Sequence, residues 1–474
     1  MLEDFRLRIF SRVVELGSFT AAAKSLGISQ PAISQNISEL EKYAGGKLLE
    51  RSRGKVRLTS RGELFRQQAD KILHAYSDLD KTFRAPESIL IRGVQHDGHR
   101  RNILIRQDRF ADLDAPEDTP ADRIIEAAGM AILPSFFNTH THAAMTLLRG
   151  YADDLPLQEW LEQHIWPFEG GLTPADIRRG NELAIREMIA SGTTFFSDMY
   201  FDLEECISAV EASGVRAAIG LTVLDNHPKS HFEDIRDYIK NWTDPTGGRI
   251  QLVMAPHSVY TVSPERLKRC ANFARHHGLL LHIHVSETRQ EVENCIRNHG
   301  TTPVRYLDQL GFLGQDVIAA HCVHVDAEEW KILAKRGVTI AHCPASNMKL
   351  GSGHFPYELA IESGCRITLG TDGCSSNNNL DMLEEMKLAA LLAKMNGDTT
   401  LLPAGEVFRW ATRNGAEFFG IDAGEIAVGK QADAVLVDLS SPRMQPLHNL
   451  ISNWVYSADT SVIRYTLCAG KVLQ

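Results

Sequence analysis

Several histidines and acids stand at or just beyond the ends of short apolar runs. His140 and His142 close AILPSFFNTH (131–140) and the residues after it. His257 follows IQLVMAP, and His282 and His284 lie inside LLLHIHV, with Glu287 three residues on. His321 ends VIAAH, His342 ends VTIAH, and Asp372 ends ITLGTD. An H-x-H pair on an extended strand points both imidazoles to one face, because side-chain direction alternates along a strand. A third imidazole, His284, and a carboxylate, Asp372, from other strands complete a nitrogen and oxygen donor set. That set suits one divalent metal, Zn2+ first and Fe2+ as the alternative, with room for a water. Such an ion lowers the pKa of its water toward ~7. Glu287 is then placed to carry protons without ligating.

Positioning these groups is the task of eight β-rich runs: 131–140, 193–198, 216–223, 250–256, 279–285, 317–321, 338–342 and 367–372. Helical stretches fill the gaps, among them LEECISAVEAS, PERLKRCANFARHH (Ser263 as cap, Pro264 first) and DAEEWKILAKR. Eight strand-then-helix units predict an α/β (β/α)8 TIM barrel, whose chemistry sits at the C-terminal strand ends. A doubly wound open sheet is the alternative, but no Gly-rich dinucleotide fingerprint is present. Short β-like runs flank the barrel at 88–93, 102–107, 123–127, 433–439 and 462–473. They predict a small β-sandwich built from both ends of this body. Of the other histidines, His282 reads as a packed core residue one layer below His284, and His342 as structural. His276 and His277 read as a helix end, and His324 and His354 as loop residues.

The charge divides the chain. Residues 1–85 carry 15 Lys and Arg against 10 Asp and Glu, a net of +5, whereas the remainder carries −15. In the basic head, Phe5, Ile9, Val13 and Leu16 recur at helical spacing. Ser18 caps a second helix broken at Gly27, and Ser29 caps a third with Pro31 in its first turn. This is a helix-turn-helix. Gln30, Ser34 and Gln35 offer short polar side chains to base edges in a major groove. Arg51, Arg53, Arg57 and also Lys55 and Arg61 follow on a two-stranded wing turning at Gly54, where phosphate contacts need cations.

Hydrophobic residues make up 43% and charged ones 23%, which excludes disorder. No apolar run reaches the ~18 residues of a membrane span, and the charged start MLEDFRLRIF lacks a signal-peptide core. The eight cysteines are scattered without a C-x-x-C pair, which fits reduced thiols in a cytoplasm.

SFTAAAKSLGISQPAISQNISELE followed by LLERSRGKVRLTSRGE resembles the winged helix-turn-helix of LysR-type transcriptional regulators. The resemblance covers about 83 residues. It implies double-stranded DNA as partner of residues 1–60 and a linker helix at 61–84 that pairs two chains through 62–83. The family's periplasmic-binding-like effector domain does not follow.

From 88 to 474 the chain resembles the amidohydrolase superfamily, and within it the 5′-methylthioadenosine/S-adenosylhomocysteine deaminases. The runs carrying this are NTHTHAAMTLLRGYADDLPLQEWL, WPFEGGLTP, APHSVYTVSPE, HIHVSET, HCPASNMKLGSG, TDGCSSNNNLDMLEEMKLAALL and GKQADAVLVD. The resemblance implies His140, His142, His284 and Asp372 as metal ligands. It makes Glu287 the proton donor to a purine ring nitrogen, and His321 and Asp372 the groups that position and deprotonate water. Glu169 would hold ribose hydroxyls and His257 would contact the nucleoside. No counterpart of a bridging lysine stands after the fourth strand, so one metal is expected. The boundaries implied are a barrel over 131–424 with a β-sandwich from 85–130 and 425–474. The implied activity is hydrolytic deamination of an adenosine-type nucleoside. The alternatives are a regulator using the barrel as a ligand sensor, and an amidohydrolase of another aminated or chlorinated heterocycle.

Overall fold

A computed structural model of the chain describes residues 5–52, 55–83, 88–155, 159–225, 235, 238–239 and 242–474. At 51, 52, 55, 74 and 77–83 only the backbone is described. The chain forms two compact units, Met1–Pro86 and Glu87–Gln474.

In the first unit α1 (Phe5–Leu16), α2 (Phe19–Leu26) and α3 (Gln30–Tyr43) precede the hairpin of β1 (Leu49–Ser52) and β2 (Lys55–Leu58), and α4 (Ser60–Phe83) follows. Both expected caps form: Ser18 Oγ accepts the Ala21 amide and Ser29 Oγ the Ala32 amide, each at 3.3 Å. Gly27 ends α2 at φ 67°, a left-handed position that favours glycine. Ile9, Phe10, Val13, Ala22, Ile33, Ile37 and Leu48 make the core. The buried face of α1 is therefore Leu7, Ile9, Phe10 and Val13, whereas Phe5 and Leu16 are 44% and 38% exposed. The helix is turned toward Phe10, whose ring meets Phe65 of α4 edge-on at 5.1 Å. Arg61 is not a wing cation. It sits in α4, and its Nη1 donates to the carbonyls of Ala44 and Gly45 at 2.7 Å, closing the end of α3.

In the second unit β3 (Ser88–His96), β4 (His99–Arg106), β5 (Arg109–Asp112), β6 (Arg123–Glu126) and β7 (Met130–Pro134) lead into the barrel strands. These are β8 (Phe136–Thr141), β9 (Thr193–Asp198), β10 (Arg216–Val223), β11 (Ile250–Pro256), β12 (Leu280–Val285), β13 (Val317–His321), β14 (Thr339–His342) and β15 (Arg366–Leu369). They pair in parallel, in chain order. Beyond β15 the chain returns to β8, where the Asp372 amide donates to the His140 carbonyl at 3.0 Å. Helices alternate with the strands around this nearly closed barrel.

The run 131–140 is two strands rather than one. Met130–Pro134 pairs with β16 (Ala434–Asp438), and only Phe136–Thr141 joins the barrel. The change of sheet falls at Ser135, after a proline that has no amide to donate. Both ends of the body meet in one β module, with β17 (Ile463–Cys468) and β18 (Lys471–Val472) completing it. Its strands are hydrogen-bonded as one continuous sheet around Ile91, Ile103, Phe110, Ile132 and Leu436. Arg216 of β10 reaches Asp433, just before β16, in a buried ion pair at 2.8 Å. The helix Pro264–His277 begins after Ser263 as expected, but the serine hydroxyl makes no cap bond; its amide instead donates to Asp225 at 2.9 Å.

Candidate active site

The barrel strands deliver their histidines and acid to one buried point. His140 lies on β8 and His142 just past its end, and their Nε2 atoms lie 3.3 and 3.2 Å from Asp372 Oδ1. His284 Nε2, from β12, stands 3.4 Å from His142 Nε2. Donor atoms of His140, His284 and His321 also gather within 4.8 Å of one another.

The outer nitrogen of each imidazole is engaged. His142 Nδ1 donates to the Met199 carbonyl and His284 Nδ1 to the His257 carbonyl, both at 2.7 Å. A carbonyl can only accept, so in the neutral form of each ring the proton sits on Nδ1 and the lone pair on Nε2. Two such lone pairs 3.4 Å apart are relieved by a cation held between them. His140 Nε2 is buried with no hydrogen-bond partner, and it faces the same point. The site therefore fits a divalent ion, and the donors are the nitrogen and oxygen atoms that zinc accepts.

Asp372 is aimed by two serines. Its Oδ2 accepts from Ser346 Oγ at 2.6 Å and from Ser376 Oγ at 2.8 Å, leaving Oδ1 to the histidines. Burial pushes its pKa up, but the adjacent His140 and His142 prevail and hold it well below the usual carboxylate range. His321 is oriented by Asn347, whose Oδ1 lies 2.9 Å from His321 Nδ1. Its Nε2 is 3.8 Å from Glu287 Oε2. Glu287 is buried beside this group, and burial raises its pKa against the opposing charge of His321. Ser352 Oγ donates to its other oxygen at 3.2 Å. The backbone is strained here, with φ 71° at His321, 52° at Ser286 and 60° at Asp372.

A pocket opens onto this centre. Trp160, Trp166, Glu169, Tyr200, Tyr260 and Leu350 line it together with His142, His257, His284, Glu287, His321 and Asp372. Trp160 begins a π-helical turn, Trp160–Ile165, and Glu169 ends the short helix that follows. The Tyr200 hydroxyl donates to Glu169 Oε1 at 2.6 Å. His257 is neutral, since burial pushes its pKa down to about 3. Its Nδ1 faces the hydroxyls of Ser258 and Thr261 at 3.1 Å. Among the described residues no lysine lines the pocket.

All the residues expected at the site thus come together here. His282 is more than core filling: its Nε2 lies 2.8 Å from Nδ1 of His140. His342 is structural, bonded to the Tyr357 hydroxyl at 2.7 Å. The sequence reading missed Ser346, Ser376, Asn347, Ser352 and Tyr200. Four of these sit in HCPASNMKLGSG and TDGCSSNNNL, runs whose polar density marks them as site loops but not which atom each serves. In the first unit Gln30 and Gln35 are exposed on α3, Ser34 is half-buried, and Arg57 is exposed on β2. Arg53 lies outside the described residues, and of Arg51 only the backbone on β1 is described.

A parallel barrel with a histidine and carboxylate centre at its C-terminal rim is the architecture of a metal-dependent hydrolase. Residues 131–473 match the model of the amidohydrolase family, and the chain belongs to that family. Residues 5–63 match the model of the bacterial regulatory helix-turn-helix proteins of the lysR family. The chain is 45% identical over 377 residues to a 5′-deoxyadenosine deaminase of Methanosarcina mazei, spanning 78% of this chain and 87% of that one. It is 46% identical over 362 residues to a 5-methylthioadenosine/S-adenosylhomocysteine deaminase of Pelotomaculum thermopropionicum, spanning 76% and 84%. Its fold is similar to the crystal structure of a zinc-bound adenosine deaminase from Xanthomonas campestris. That match has a TM-score of 0.77 and 35% identity, and it covers 82% of this chain and 93% of that one. The chain is a hydrolase of carbon–nitrogen bonds with an attached helix-turn-helix unit. Among the described residues no helix is long and apolar enough to cross a membrane.

Proposed function

We propose that the body deaminates an adenosine-type nucleoside, S-adenosylhomocysteine, 5′-methylthioadenosine, 5′-deoxyadenosine or adenosine, to the inosine-type product and ammonia. The observation that carries this is the meeting of three imidazole Nε2 atoms and Asp372 Oδ1 beside a buried acid, Glu287. The names and extents of the relatives support the substrate class.

His140, His142, His284 and Asp372 would hold one divalent ion, zinc by analogy with the Xanthomonas structure. When bound it supplies a Lewis acid that makes water a nucleophile at neutral pH. Water oxygen adds to C6 of the purine while Asp372, with His321 beside it, takes the water's proton. Glu287, whose pKa burial raises, gives a proton to the ring nitrogen next to C6. Asp372 returns the water's proton to the exocyclic nitrogen, which leaves as ammonia, while the C6 hydroxyl gives its proton back to Glu287 and C6 is left as a carbonyl. Glu169, steadied by Tyr200, accepts from ribose hydroxyls, and neutral His257 bonds the nucleoside. An ultraviolet assay across adenosine analogues, with metal measured on the same sample, tests this. Metal present and no turnover of any analogue would overturn it.

The helix-turn-helix match favours a second role. Residues 1–60 bind double-stranded DNA through Gln30, Ser34, Gln35, Arg51, Arg53 and Arg57, residues 62–83 pair two chains, and the unit regulates transcription. The eight cysteines are all unpaired, which supports a reducing cytoplasm. A mobility shift with DNA from upstream of the chain's own coding sequence tests the DNA partner; no shift at low salt would remove it.

A further inference from the structure

The helix Arg289–His299 starts after Thr288, whose Oγ accepts the Glu291 amide at 3.1 Å. A glutamate at this third helical position ordinarily completes a capping box, by reaching back to the amide of the cap residue. Glu329 does so in this molecule, accepting the amide of its cap residue Asp326 at 2.9 Å. Glu291 behaves differently. Its carboxylate passes the cap and accepts two earlier amides, Ser286 N at 2.9 Å and Glu287 N at 2.8 Å. It is 5% exposed, and burial pushes its pKa up to about 7. A buried acid is costly for a helix end to keep when a water-exposed cap would serve.

What the two bonds hold is the turn between His284 and Glu287. Ser286 takes φ 52° there, a conformation side-chain-bearing residues avoid, and its hydroxyl is buried without a partner. Glu287 leaves this turn with its carboxyl between Ser352 and His321. Among the described residues the Ser286 and Glu287 amides have no other acceptor.

We infer that Glu291 is a positioning residue for proton transfer: its two carboxylate oxygens fix the Ser286–Glu287 backbone, and so set where the Glu287 carboxyl meets the substrate. This rests on the assignment of Glu287 as the proton donor. Glutamine at 291 keeps the size but offers one acceptor for two amides, and aspartate falls short of both. A displaced acid impairs the chemical step more than binding.

The test compares the full-length, zinc-loaded protein with Glu291→Gln, Glu291→Asp and, as a control on the same helix, Glu293→Gln. The expected result is a kcat lowered ~10- to 100-fold in the two Glu291 variants, with KM within about twofold. Zinc content should be unchanged and Glu293→Gln should match the wild type. Hydrogen exchange at the Ser286 and Glu287 amides reads the clamp without substrate, and it should quicken in Glu291→Gln in an otherwise protected barrel. Unchanged exchange at both amides would overturn the inference even if the wild type deaminated nothing. So would a wild-type kcat in Glu291→Gln, or a loss traced wholly to zinc or KM. An inactive wild type with normal zinc would instead overturn the deaminase assignment, leaving the exchange result to decide the clamp.

Discussion

His282 and His140 form a buried imidazole pair, with Nε2 of the first 2.8 Å from Nδ1 of the second. His282 Nδ1 faces Ser197 Oγ at 3.2 Å. If His282 donates from Nδ1 to the serine, its Nε2 accepts the His140 proton, and the lone pair of His140 is then fixed on Nε2. Burial and the neighbouring histidines keep His282 neutral, as this relay requires. His282→Ala should therefore loosen the ion rather than the substrate. We expect zinc affinity to fall ~10- to 100-fold, the usual cost of removing a ligand's outer partner. Zinc release to a chromophoric chelator checks this, and release at the wild-type rate would remove His282 from the metal centre.

Removing the ion should abolish turnover and lower thermal stability together. The facing lone pairs of His142 and His284, and the orphaned Nε2 of His140, leave the empty donor set poorly satisfied. An ion that binds only the folded chain stabilises it by ~4 kcal/mol at a thousandfold excess over Kd. Chelation, then readdition of zinc, should move activity and the melting temperature of the body in parallel. A melting temperature indifferent to zinc would contradict the donor assignment.

Glu287→Gln should separate proton transfer from metal binding. Its carboxyl touches Ser352 and His321 rather than the atoms gathered at Asp372. We expect kcat to drop ~10²- to 10⁴-fold, as for loss of a general acid, with zinc content intact. Loss of zinc in this variant would make Glu287 a ligand instead.

The barrel is legible in the sequence because its strands are short apolar runs, several of which lead directly into a histidine or an acid. His140, His284, His321 and Asp372 could be placed at the rim from that pattern alone. What eludes it depends on loop geometry. Ser346 and Asp372 are 26 positions apart, and nothing in either neighbourhood says that their side chains meet at 2.6 Å. The division of 131–140 into two strands is equally silent: Ser135 is fully buried and breaks no apolar period. The split of Glu291 from the capping pattern needs the backbone of the Ser286 turn, which no residue type announces.

In the first unit Glu41 links pH to stability. Burial pushes its pKa up, but Lys47 and the amides of Leu48 and Leu49 outweigh this and hold it below 4.5. A carboxyl lowered on folding contributes stability that is present above the unfolded value and is lost as pH falls through the folded one. Exchange at the Leu48 and Leu49 amides, corrected for its intrinsic rate, should quicken as pH drops below 4.5 in the full chain. Glu41→Gln should remove that dependence. A pH response unchanged by Glu41→Gln would assign the effect to another group.

If residues 1–60 bind DNA as proposed, two kinds of contact are expected, and salt tells them apart. Arg57 is exposed on β2, where a cation reaches phosphates that every sequence shares. Arg57→Ala should weaken all DNA sites alike and reduce the slope of log K against log salt by ~1, since one fewer counterion is released. Gln35 is exposed near the start of α3 and carries no charge. Gln35→Ala should leave the slope alone and relax the preference at one base position, at ~1–3 kcal/mol. Anisotropy titrations of a target and a scrambled duplex over a salt series measure both. If the Arg57 variant keeps the wild-type slope, that side chain is not on a phosphate, and the wing does not lie along the backbone.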